Sequence, residues 1–195
     1  MTQQGYRYGY GAPAYGYRPA PPVPVAPDGR PLADFASRLL AFMIDSALFA
    51  ALFMLLFYPA VLVLLLREWP PTFPQPGQAV EPVVPLVFVG RILLLEAVLI
   101  AVMLVLYYLY YVEMMLRRGG QTLGKKALKI RVVPLEPGAR LTRAMVARRY
   151  LVEFLGGTIV PFFGLVDGLW QLRDEPYQQT LHDRFAKTVV VKVSP

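Results

Sequence analysis

The stretch FASRLLAFMIDSALFAALFMLLFYPAVLVLLL, residues 35–66, is longer than the roughly 20 residues with which an apolar helix crosses a bilayer, and it carries few charges. A second stretch of this kind, LVFVGRILLLEAVLIAVMLVLYYLYYVEMML, occupies residues 86–116. A buried helix of a soluble protein can also be apolar on all sides, but two helices of this length favour the membrane. The sequence therefore predicts an α-helical integral membrane protein with two long transmembrane helices, the first over residues 35–58 and extending to 66.

The distribution of basic residues predicts which side of the membrane each connection faces. Residues 117–149 hold ten Lys or Arg residues and a single acid, Glu136. The proline-rich outer connection, residues 67–85, has no Lys or Arg after residue 67. Cytoplasmic loops are enriched in Lys and Arg, so we expect the basic segment, and with it the N-terminus, to lie in the cytoplasm.

The last third of the chain is apolar but interrupted, and it predicts a shorter helical hairpin over residues 144–172 that turns at GGTIVPFFG. Two β-type runs, residues 128–133 and 188–193, flank this hairpin. They can form a small cytoplasmic two-stranded sheet only if both lie on one side of the membrane, which also places the C-terminus in the cytoplasm. Two placements of the hairpin stay open: a re-entrant hairpin that enters and leaves by the same face, and an amphipathic helix pair on the inner surface.

The N-terminal segment differs in composition from the rest of the chain. Residues 1–31 are rich in Tyr, Gly and Pro and show no apolar periodicity, so we expect a disordered cytoplasmic tail. Its two arginines before residue 20 give little neutralisation of phosphates, which argues against nucleic acid as a partner.

Charged residues inside the apolar stretches need partners, because a charge at the centre of a bilayer costs about 2.5–3.5 kcal/mol on insertion scales. Arg38 and Asp45 are seven residues apart, hence on nearly one helix face but about 10 Å apart along the axis. We expect each of them to find its partner on another segment. Glu113, near the inner end of the second helix, is predicted to reach the interface or to meet Arg38.

The motif GGQTLGKK, residues 119–126, matches G-x-x-x-x-G-K but is not a phosphate-binding loop. The next position is Lys126 instead of Ser or Thr, and an apolar helix precedes the motif where a strand is required. The chain has no cysteine and one histidine, His182, beside Asp183, which is predicted to cap a loop or form a salt bridge. We therefore predict no enzyme activity, no metal and no cofactor.

Three motifs in order, SRLLAFMID, GQTLGKKALKIRVV and QTLHDRFAKTVVV, resemble the RDD family of bacterial membrane proteins, named for one Arg and two Asp residues. The resemblance covers about residues 32–193 and implies a location in the bacterial cytoplasmic (inner) membrane. It assigns the family's Arg to Arg38 and one Asp to Asp45. The second Asp is placed at Asp183, with Asp167 as the alternative.

The resemblance also implies that GGQTLGKK is a cytoplasmic motif, a glycine turn that leaves the second helix. Its basic residues and those just before it would contact lipid headgroups or a partner. These residues are Arg117, Arg118, Lys125, Lys126 and Lys129.

Two functions are compatible with these features. The resemblance implies transport, with sodium/proton exchange as the model, in which Asp45 cycles its protonation within an ion path or ion-pair network. That network comprises Arg38, Asp45, Asp183, Asp167 and Glu113. Two long helices and a hairpin cannot enclose an alternating-access pathway, so a translocator must be a homo-oligomer or act with a partner membrane protein. The alternative is a non-transporting membrane adaptor or assembly protein with a basic cytoplasmic face.

Overall fold

The computed structural model describes residues 23–68 and 86–193. The two apolar stretches form helices, as the sequence predicts: α1 spans Phe35–Glu68 and α2 spans Leu86–Tyr108. A π-helical turn, Leu109–Met114, continues α2 into the short helix α3, Met115–Arg117. Residues 69–85, which hold almost all of the predicted outer connection, lie outside the described residues.

The apolar side chains of these two helices point mostly outwards. In the most apolar part of each helix, only 6% of the residues of the first and 11% of the second are buried inside the protein. The core helix of a soluble protein would be buried over most of its length, because water would otherwise contact its apolar surface. Both helices are therefore long and apolar enough to cross a membrane, and they expose the side chains that lipid would contact.

Residues 119–193 follow α3, and we call them the cap. Its elements are α4 (Leu123–Ala127), β1 (Ile130–Pro134), α5 (Arg143–Ile159), α6 (Phe163–Trp170), α7 (Leu181–Ala186) and β2 (Thr188–Lys192). The strands β1 and β2 pair antiparallel, with Val132 opposite Val190, which confirms the predicted two-stranded sheet. Helices α5 and α6 contact each other and are joined by a turn at residues 160–162, which confirms the two short helices of the predicted hairpin.

Part of the segment assigned to the tail packs on this sheet. Val25 forms a bridge with Pro31, and Leu32 forms another with Val191 of β2. Ala26 and Leu32 are buried against the outer valines of the sheet. Ordered structure therefore begins before residue 32, because the sheet offers an edge strand with which residues 31 and 32 can pair; residues 1–22 lie outside the described residues.

The main core lies where α1, α3, the sheet and α5 meet. Most of its buried side chains are small or β-branched, which allows helices and strands to approach closely. They include Ala41 of α1, Val112 of the π-helical turn, Val132 of β1, Val146 of α5 and Val190 of β2. This core packs the start of α1 and the end of α2 against the cap.

Candidate functional site

Asp45 is fully buried, and three groups donate hydrogen bonds to its carboxylate. The Tyr110 hydroxyl and the Gly124 N–H, at 2.7 Å, donate to Oδ1, and the Thr122 hydroxyl donates to Oδ2 at 2.6 Å. The Tyr110 oxygen in turn accepts a hydrogen bond from the Leu123 N–H at 3.1 Å. The carboxylate of α1 therefore joins this helix to the π-helical turn and to the start of α4.

At two positions of the GGQTLGKK motif, another segment of backbone lies so close that only glycine fits. A Cβ on Gly124 would lie 2.1 Å from the main-chain oxygen of Ala41 and 2.9 Å from Oδ1 of Asp45. A Cβ on Gly120 would lie 2.1 Å from the main-chain oxygen of Val132, and this glycine has a φ of +90°. The motif thus lets the backbone of α4 touch α1 while the chain turns into β1.

Arg38 binds a different part of the cap. Its Nε donates to the oxygen of Ala33 at 3.1 Å, and its terminal nitrogens donate to the oxygens of Gln178, at 2.6 Å, and Val190, at 3.3 Å. Its Nη1 also lies 3.8 Å from the carboxylate of Asp183. The expectation that Arg38 and Asp45 each find partners on other segments is therefore confirmed.

Asp183 lies at the centre of a buried network at the start of α7. Its Oδ1 accepts hydrogen bonds from the Arg149 guanidinium and, at 3.0 Å, from the Thr188 hydroxyl. Its Oδ2 accepts from the Thr180 hydroxyl at 2.9 Å, and Thr180 caps α7 in a reciprocal capping box. Burial lowers the pKa of Arg149 to about 10, which leaves its guanidinium charged at neutral pH.

A second carboxylate, Asp167 of α6, is joined to this network through His182. Nη2 of Arg149 lies 2.9 Å from Nε2 of His182, and since a guanidinium can only donate, Nε2 accepts. The ring is thus the neutral tautomer with its proton on Nδ1, which donates to Asp167 at 2.6 Å. The contact between His182 and Asp167 is therefore a hydrogen bond from a neutral ring instead of the predicted salt bridge, and the His182 N–H donates to the same carboxylate at 2.9 Å. Asp183 therefore contacts Arg38, whereas Asp167 contacts His182.

A cavity of about 470 Å³ lies between α1, α4, α5 and α6. Its charged lining includes Arg38, Asp45, Lys125, Arg149 and Glu153, and most of its remaining wall is apolar. Burial lowers the pKa of Lys125, and the nearby Arg149 charge lowers it further. Among the described residues, no hydrogen bond or ion pair reaches the Lys125 ammonium or the Glu153 carboxylate.

The remaining predicted site residues lie elsewhere. Glu113 pairs with Arg143 of α5 through two contacts of 2.9 and 3.0 Å, so the proposed contact with Arg38 is wrong: Arg38 is directed toward β2. Lys125 lines the cavity. The other basic residues of that group are exposed, namely Arg117, Arg118, Lys126 and Lys129.

Several residues of these networks were not singled out from the sequence. Arg149 was one of ten basic residues in its region, and Tyr110 was one of four tyrosines near the inner end of α2. Thr122 carried a usable signal, because a Thr directly before a short helix is a typical N-cap, and its hydroxyl accepts from the Lys125 N–H at 3.2 Å. In the part of the chain that the structure describes, no three His, Asp or Glu side chains are grouped as a metal site.

Comparison with known proteins supports the resemblance found in the sequence. A family model described as the RDD family matches residues 32–187, which is most of the chain and includes Arg38, Asp45, Arg149, Asp167 and Asp183. No curated protein and no solved structure matches the chain.

Proposed function

The chain belongs to the RDD family, and we propose that it is a non-transporting adaptor of the bacterial cytoplasmic membrane, whose buried charged residues hold the cap on two transmembrane helices. Family membership and the two long apolar helices point to a membrane protein. The basic segment after α3 favours a cytoplasmic cap with both termini on that side.

The observation that carries this proposal is the environment of Asp45. All of its partners are donors, and its side chain is fully buried. An acid that cycles protons must lose these partners or exchange them with water in each cycle, whereas an acid that fastens two segments keeps them. The arrangement therefore favours the structural role.

The exposed basic residues supply the adaptor surface. Arg117 and Arg118 end α3, and Lys126 and Lys129 follow within the cap. Each cation near an anionic leaflet contributes about 1 kcal/mol at most, so four of them orient the cap against lipid headgroups or an acidic partner. A homo-oligomer or a partner membrane protein would use the outward apolar sides of α1 and α2.

Reconstitution into proteoliposomes tests this proposal. Under imposed sodium and pH gradients, we expect the wild type to give no more sodium or proton flux than empty vesicles. We expect Asp45→Asn to lower the midpoint of unfolding and to reduce the recovery of membrane partners after crosslinking in whole cells. Glu96→Gln, an exposed acid on α2, is the matched control and should change neither quantity.

A second candidate, ion or proton translocation by an oligomer, is favoured by one observation. The cavity of about 470 Å³ reaches Asp45 and holds Lys125 and Glu153, whose charged groups have no hydrogen bond or ion pair among the described residues. If the wild type carries sodium or proton flux, and Asp45→Asn abolishes this flux without changing the midpoint of unfolding, translocation would be established and the adaptor proposal refuted.

A further inference from the structure

We infer that the chain has a further site, for an alkylated ammonium group, in a smaller cavity of about 340 Å³ between α1, the inner end of α2 and α5. Its wall is mainly aromatic and holds one carboxylate. The principal lining residues are Phe42, Tyr107, Tyr111, Tyr150, Glu153 and Phe154. The inference does not depend on whether the protein is an adaptor or a translocator.

Four of the lining rings form two stacked pairs, and Tyr107 also stacks on Phe49 of α1, with ring centroids 4.0 Å apart. Tyr107 and Tyr111 have ring centroids 5.7 Å apart and an interplanar angle of 8°. Tyr150 and Phe154 of α5 have centroids 5.6 Å apart and an angle of 12°. The face of an aromatic ring is negative and attracts a cation that lies within about 6 Å of its centre.

The π-helical turn contributes to this arrangement. Tyr107 is in the last turn of α2 and Tyr111 is inside the turn, so the change of helical pitch falls between residues of one wall. Such turns occur frequently at functional sites, because they widen the helix and redirect its side chains. Here the neighbouring Tyr110 is directed to Asp45, while Tyr107 and Tyr111 line the cavity.

Glu153 supplies the negative charge. It is the one acid or base on the wall of this cavity, and within residues 23–68 and 86–193 its carboxylate has no hydrogen bond or ion pair. A partly buried carboxylate next to aromatic carbon is poorly solvated, so a cation in the cavity would lower its electrostatic free energy. The charges of Lys125 and Arg149 interact with Glu153 through space, but both side chains line only the larger cavity and so do not occupy this position.

The chemistry of the wall selects the kind of cation. Inorganic cations such as calcium are bound through six or more oxygen atoms, whereas most of this wall is ring carbon. Quaternary and other alkylated ammonium groups are recognised by aromatic faces together with a carboxylate, because their charge is spread over apolar methyl groups. Such a group can come from a soluble cation or from a choline lipid headgroup, and both present the same chemistry to the site.

Calorimetric titration of the protein in phosphatidylglycerol nanodiscs tests the inference, with choline as the probe and 3,3-dimethylbutanol as its neutral isostere. We expect choline to bind at least tenfold more tightly than the isostere. Glu153→Gln should weaken choline about tenfold, whereas Glu96→Gln should leave its affinity unchanged. Tyr150→Phe keeps the ring face and should retain binding, while Tyr150→Leu should lose about tenfold. Unfolding midpoints of each variant verify that the fold is intact.

Choline lipids in the disc separate the two sources. If discs containing phosphatidylcholine weaken choline binding, the lipid headgroup occupies the site; if they do not, the site takes a soluble cation. Both results support the inference. Equal affinity for choline and its neutral isostere, or no choline binding by folded wild type in phosphatidylglycerol discs, would overturn it.

Discussion

A double-mutant cycle on Asp45 and Thr122 tests whether the buried carboxylate is a fastening between α1 and the cap. Asp45→Asn can keep an oxygen toward Gly124 and Tyr110, but its amide nitrogen then faces the Thr122 hydroxyl, which loses its acceptor. Hydrogen bonds to a charged group contribute about 1.5–3 kcal/mol each, so we expect Asp45→Asn to destabilise the protein by about 2 kcal/mol.

The partner change is Thr122→Val, which removes the same hydrogen bond from the other side and also the cap on the Lys125 N–H. The capping loss is present whether residue 45 is Asp or Asn, so it cancels in the cycle. What remains is the coupling between the two side chains. We expect the double variant to be more stable than the sum of the single changes predicts, by about 1.5–3 kcal/mol.

The assay is reversible unfolding in mixed micelles, with the denaturing detergent fraction raised until the helical signal falls. Thr122→Ser retains the hydroxyl and is the matched control, with an expected loss below that of Thr122→Val. Additivity of the two single changes within about 0.5 kcal/mol would show that the side chains do not act together and would refute the structural role of Asp45.

Three further predictions concern the same fold. Gly124→Ala would place its Cβ 2.1 Å from a main-chain oxygen of α1, so we expect it to lower the free energy of unfolding in micelles by about 1–3 kcal/mol. The control is Gly90→Ala, whose Cβ would meet nothing within 4 Å and which should not destabilise the protein. Burial lowers the pKa of Lys125 below its usual 10.5. Between the folded-state pKa and 10.5 the unfolded chain therefore binds more protons, so the stability of the wild type should rise as the pH increases toward 10.5. Lys125→Met should remove this rise in thermal unfolding, and an unchanged slope would contradict the prediction. Asp34 accepts a hydrogen bond from the Ser37 N–H at the start of α1 and pairs with Lys192 at 2.8 Å. Asp34→Ala should lower the free energy of unfolding by about 1 kcal/mol, and Asp34→Asn should lower it less because Asn still caps the helix; equal losses would contradict this.

Two separate sets of contacts, one at Asp45 and one at Arg38, hold the cap against α1. Asp45 fastens α1 to the motif that follows α3, and Arg38 fastens the same helix to β2 and to the segment before α7. Arg149 then holds the capping carboxylate of α7, Asp183. Arg38 and Asp45 lie seven residues apart on α1 and bind different parts of the cap. A substitution of Asp45 should therefore loosen the start of α4, whereas a substitution of Arg38 should loosen β2 and the segment before α7.

The sequence alone determined the two long helices, the helical hairpin and the two strands, because length, hydropathy and β-propensity are local properties; it did not indicate α4, α7 or the π-helical turn. The stretch 35–66 exceeds a membrane thickness as a helix, and the runs at 128–133 and 188–193 are rich in β-branched residues and need each other as strand partners. The need of Arg38 and Asp45 for partners on other segments also followed from their positions alone, since their spacing of seven residues separates them by about 10 Å along a helix.

The tertiary structure decided which partners those were. The donors to Asp45 come from residues 65 to 79 positions later in the chain, and the contact that Gly124 allows with α1 brings two of them into reach. Glu113 was predicted to meet Arg38 because both lie near the inner ends of their helices, yet α5 presents Arg143 at that point and takes the carboxylate. Composition and periodicity fix what each segment can form, but a charged side chain binds whichever group the packing of distant segments brings within about 3 Å, and that distance is a property of the folded chain.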